Sequence, residues 1–135
     1  MINPNSQHSR FNIVLNNNVD YADLRFFGGV TLKIANNAFM QLLDHSLFRH
    51  NMNACYDFCE AIIETDMKEL EQHAEFVSQH THRRGTSYKL AMVTDETLNS
   101  ALLNVYRLLI SKTTIEAEVF GSKKQALHWL NQDSP

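Results

Sequence analysis

Tyr88-Lys89-Leu90-Ala91-Met92-Val93-Thr94 reads as a strand, and its alternation with the segments downstream decides the fold. Asp95 can cap a helix running to about Lys112, and Ile115 to Phe120 reads as the next strand. Ser122-Lys123-Lys124-Gln125 then opens a last helix as a capping box, with Ala126, Trp129 and Leu130 turned inward. Short apolar runs alternating with helices in this way write a largely parallel sheet.

The same rhythm extends upstream. Asp66 and Glu69 make a D-x-x-E start for a helix to about His82, with a core stripe of Met67, Leu70, Ala74 and Val77 and a stop at Gly85. Ala54 to Ile63 is a strand, nearly continuous in apolar residues apart from Asp57 and Glu60, as buried parallel strands are. Thr31 can cap a helix to about Ser46 that places Ala35, Ala38, Phe39, Leu42 and Leu43 on one face. Val30, Leu32 and Ile34 also alternate as a strand would, so that boundary stays open between Thr31 and a later start. Phe11 to Leu15 and Tyr21 to Phe27 form a hairpin through the turn Asn16-Asn17-Asn18, the second strand stopping at Gly28-Gly29. The expected architecture is α/β, a five-stranded mixed sheet with an N-terminal hairpin, then parallel β-α units, packed with about four helices. It forms one domain over residues 10–132 after a polar, loose arm at 1–9.

Bulk properties narrow the classes. At 135 residues the chain suits one core, and 44% hydrophobic with 20% charged residues is ordinary globular composition. A net charge of −3 and a pI near 6.1 leave no electrostatic footprint for nucleic acid. The start lacks the charged and apolar regions of a signal peptide and no apolar run has the length of a transmembrane segment, so a cytoplasmic location is expected. Cys55 and Cys59 lie four apart in one strand, roughly 13 Å, too far to bridge or share a metal.

Lys89-Leu90-Ala91-Met92-Val93-Thr94, Glu118-Val119-Phe120-Gly121-Ser122 and Ala126-Leu127-His128-Trp129-Leu130 together resemble the SpoIIAA-like branch of the STAS domains, relatives of the bacterial anti-sigma-factor antagonists. Asp57 in its strand and Gly29-Val30-Thr31 before the first helix are similar too, and the element order matches over roughly residues 10–131. The resemblance implies a non-enzymatic module that binds protein partners, nucleotides or lipid-like ligands. In the antagonists a phosphorylatable serine follows an aspartate at the turn into the second helix. Here that turn is Glu64-Thr65-Asp66, where only Thr65 could take a phosphate, among acidic neighbours that repel it.

Candidate sites emerge from residue chemistry. The helix from Leu98 to Ile110 carries apolar residues over about 220°, more than the roughly 100° stripe that packing on a sheet requires. The surplus flank is Leu103, Tyr106 and Ile110, beside Arg107. Either a neighbouring helix of the same chain covers it or it faces a second subunit, another protein or a lipid. Phe39 and Phe76 are possible further lining for a lipid-like ligand. The carboxyl edge of the sheet should gather Asp57, Thr65, Asp66, Asp95 and Ser122, a polar, cap-like set without a base–nucleophile pair. Asp57 is the one candidate acid, and the favoured reading has it bonding nearby backbone amides. Seven histidines show no ligand spacing for a metal, and Glu69 with His73 reads as a surface pair. No catalytic residue, metal or cofactor is expected. Two readings result: a cytoplasmic, homodimeric regulatory module acting through protein contact, or a carrier or sensor of a lipid-like ligand with peripheral membrane association.

Overall fold

Asn16 starts the chain's first reversal: its Oδ1 accepts hydrogen bonds from the N–H groups of Asn18 and Val19 at 2.8 and 3.1 Å, closing an Asx turn. The computed structural model describes residues 11–16 and 18–132, so the arm expected at 1–9 lies outside the described residues. Strand β1 (Phe11–Val14) pairs antiparallel with β2 (Tyr21–Val30), Phe11 opposite Phe26. Parallel strands β3 (Asn53–Ile63), β4 (Lys89–Val93) and β5 (Glu116–Phe120) complete one sheet in the order β1-β2-β3-β4-β5.

Sequential parallel crossovers in one direction stack their helices on one face of the sheet. That face carries α1 (Leu32–Asp44), α2 (Met67–Ser78) and α4 (Thr97–Ile110), with α1 against α2 and α2 against α4. The one-turn α3 (Thr81–Arg84) lies before β4, and α5 (Lys123–Leu130) packs on the opposite face over Cys55, Ala91 and Val93. The larger core lies under α1, α2 and α4, where Phe26 stacks on Phe58 with ring centroids 4.7 Å apart.

Several local expectations are corrected. Strand β2 runs through Gly28-Gly29 to Val30, with Gly28 at φ 70, a conformation open to glycine. Thr31 Oγ1 accepts from Ile34 N, so the helix begins there and the strand reading of Val30-Leu32-Ile34 is set aside. The single helix expected to His82 is two: the His80 ring occupies the Phe76 carbonyl at 2.8 Å, while the His80 amide turns to Val77. Met67, expected in the core stripe, is 54% exposed. The described residues therefore form five helices, one of them a single turn, against about four expected.

Candidate functional site

The decisive contact of the helical face is made by Asn99, which the sequence pattern did not single out. Strand β4 pairs with β3 only from Ala54 to Asp57, so the far half of β3 extends past the end of its neighbour. Asn99 fills that gap. Its Oδ1 accepts from Ile63 N at 2.9 Å and its Nδ2 donates to Ala61 O at 2.9 Å, as the peptide of an adjoining strand would. The Nδ2 also reaches Thr94 Oγ1 at 3.3 Å, and Asn99 is 1% exposed. A signal existed, an amide on the apolar side of the helix, but its meaning depended on an edge 36 residues away.

This tether sets the rotation of α4. With Asn99 turned to the sheet, the positions four, seven and eleven residues on share its face. These are Leu103, Tyr106 and Ile110, and all three are buried by their own chain. Of the two readings left open for this flank, cover by the same chain holds and the outward partner surface is corrected: the three are core, and Leu98 and Leu108 point to water instead. Arg107, placed beside that flank, pairs with Glu118 across the surface at 3.4 Å.

Leu103 and Tyr106 instead line an apolar cavity of about 60 Å³ between the sheet and the helices. From the sheet come Phe26, Tyr56, Phe58 and Met92, with Val30 and Ile63 at the strand ends. Ala35 of α1 and Leu70 and His73 of α2 complete the helical side, and Thr65 enters from the turn before α2. Phe39 and Phe76 do not line it. They pack edge to face at 6.0 Å in a separate cluster between α1 and α2.

Two polar groups matter here. His73 was expected to pair with Glu69 at the surface, but Glu69 Oε1 accepts from Asp66 N in the capping box. The His73 ring lies inside instead, its Nδ1 2.7 Å from Asn36 Oδ1 and its ring centroid 5.5 Å from that of Tyr106. Burial holds its pKa down at about 4, so the imidazole is neutral at pH 7. Thr65 Oγ1 is buried with no hydrogen-bond partner among the described residues. The hydroxyl considered as a phosphate acceptor therefore faces inward.

The rest of the strand-end set does not converge on one site. Asp57 Oδ1 accepts from Cys59 N at 2.9 Å, the backbone role favoured for it. Asp66 and Ser122 cap α2 and α5. Asp95 does not cap α4; Glu96 does, accepting from Leu98 N and Asn99 N, which hold its carboxyl below the ordinary range. Among the described residues, no three His, Cys, Asp or Glu side chains gather as a metal site, and no helix is long and apolar enough to cross a membrane. Near the amino end of β4, Arg84 is 1% exposed and stacks on Tyr88, its guanidinium 3.5 Å from the ring centroid, outside the cavity lining.

The fold is that of a known class. A solved structure from Shewanella loihica PV-4, described as an uncharacterised protein of the DUF3478 family with a SpoIIAA-like fold, matches with a TM-score of 0.58. It is 16% identical, and the match covers 89% of this chain and 91% of that one. The chain has a SpoIIAA-like α/β fold, a mixed sheet opening on an antiparallel hairpin. No protein-family model matches it, and no curated protein does.

Proposed function

We propose that this protein is a non-catalytic STAS-like module that takes up a small apolar ligand between its sheet and its helical layer. One observation carries the reading: Leu103 and Tyr106, from the flank of α4 that looked available to a partner, line an apolar cavity instead. Apolar pockets with a few placed polar groups are the usual form of small-molecule sites. Holding one water takes roughly 10–15 Å³ of such space, so about 60 Å³ has room for a small molecule of about four to six non-hydrogen atoms. Most of the wall is aliphatic or aromatic surface with a few polar groups among it, so a small, largely apolar molecule is the better occupant. Regulation through protein contact loses its motivating surface, because Leu103, Tyr106 and Ile110 are not free to dock.

Xenon tests the reading directly, since it enters dry apolar cavities. Under xenon pressure, amide and methyl shifts should move at Leu70, Leu103 and Met92, and native mass spectrometry of gently purified protein should show a small adduct. Ala35→Leu, which grows a side chain into the same space, should abolish both effects while the circular dichroism spectrum is kept. Shifts scattered over the surface, unchanged by Ala35→Leu, would rule the cavity out as the site.

A further inference from the structure

Resting on that reading, we propose that the cavity selects an uncharged ligand carrying a hydroxyl group over the matching anion. The wall supplies hydrogen-bonding atoms and no countercharge. Its twelve lining residues include no Asp, Glu, Lys or Arg. Its polar members are Thr65, His73, Tyr56 and Tyr106.

Each of these is neutral in the folded chain near pH 7. Burial lowers the His73 pKa, and burial raises those of the Tyr56 and Tyr106 phenols. A carboxylate brought into this space would shed its water and find no cation in the wall to pair with, the costliest way to bury a polar group. The guanidinium of Arg84 stacks on Tyr88, 3.5 Å from its ring centroid, and Arg84 is not a lining residue, although its charge is felt at Tyr56 and Tyr106. A purely hydrocarbon ligand has the opposite defect, since it leaves Thr65 Oγ1 as unpartnered as it is now.

A hydroxyl answers both conditions. Thr65 Oγ1 can donate to it or accept from it. With Asn36 Oδ1 accepting from Nδ1 of His73, the Nε2 of that ring carries a lone pair and accepts the proton of an alcohol. Thr65 and His73 belong to the turn that opens α2 and to α2 itself, so one segment supplies both groups, while the other two polar members, Tyr56 and Tyr106, come from β3 and α4.

The probes are 1-butanol, butyrate and cyclopentane, titrated at pH 7 and followed by saturation-transfer and amide-shift NMR. Butanol should bind at least about tenfold more tightly than butyrate, the size of one well-made hydrogen bond or one unpaired charge. It should also bind more tightly than cyclopentane. Thr65→Val keeps the shape and removes the hydroxyl, and His73→Phe keeps a ring and removes the acceptor. At least one should erase the preference for butanol over cyclopentane while cyclopentane still binds. Butyrate binding as well as butanol overturns the inference, and so does an alcohol preference that survives both substitutions. If cyclopentane binds with no alcohol preference, the cavity stands and the selectivity falls. If none of the three binds, both fall together.

Discussion

Replacing Asn99 by leucine keeps the approximate volume of the side chain and deletes the amide that closes the free edge of β3. Two buried backbone groups then lose their partners, the Ile63 N–H and the Ala61 carbonyl. Each orphaned buried group costs about 1–3 kcal/mol, so the expected loss is about 2–6 kcal/mol. That is a large part of a typical domain stability of about 5–15 kcal/mol. Urea denaturation followed by circular dichroism measures it, with Leu108→Gln as the control. Leu108 is 61% exposed and one turn from the buried stripe, so the control should move stability by no more than about 0.5 kcal/mol. Hydrogen exchange supplies a local readout: the Ile63 amide should lose protection in Asn99→Leu by more than the global loss explains. A loss below about 1 kcal/mol with unchanged Ile63 protection would refute the claim that this amide stands in for a missing strand and sets the rotation of α4.

The other expectations concern the interior and its turns. Leu103→Ala should cost about 2–5 kcal/mol in urea denaturation, as buried leucines do, whereas Leu103→Glu at a partner surface would have left a stable monomer. His73 makes stability fall with acid: its folded pKa is about 4 against an ordinary 6.5, so between these values the unfolded chain binds the proton and the folded chain does not. Wild type should lose up to about 3 kcal/mol more than His73→Phe between pH 7 and pH 4, and parallel curves would disprove it. Gly85→Ala should cost more than about 1 kcal/mol in a thermal melt, because Gly85 sits at φ 90 and an added Cβ would run into the Asn51 side chain. Asp23→Asn should cost about 1 kcal/mol or less: burial opposes the Lys123 charge, the Asp23 carboxylate at 2.7 Å overcomes it and raises the Lys123 pKa, and both side chains keep some water contact.

Much of the architecture was legible because it is written locally. Caps at Thr31, Asp66 and Ser122 are short-range hydrogen bonds between residues three apart, and all three appear where the residue types placed them. The apolar run of β4 reads as a parallel strand because burial on both faces leaves no alternation to mislead. Periodicity failed where a side chain competes with the backbone. The His80 ring on the Phe76 carbonyl breaks a helix whose sequence pattern is continuous.

The order of helices and strands, and with it the SpoIIAA-like fold, came from the sequence by itself, since neighbouring residues carry its causes. Only the tertiary structure decided which flank of α4 turns inward, that His73 leaves Glu69 for Asn36, and that a cavity remains beside Leu103 and Tyr106. The physical reason is separation along the chain. Asn99 acts on Ile63 and His73 on Asn36, partners 36 and 37 residues away. A helix wheel ranks the apolar faces of α4 without choosing among them, and one buried amide on the free edge of β3, beyond the end of the shorter β4, makes the choice.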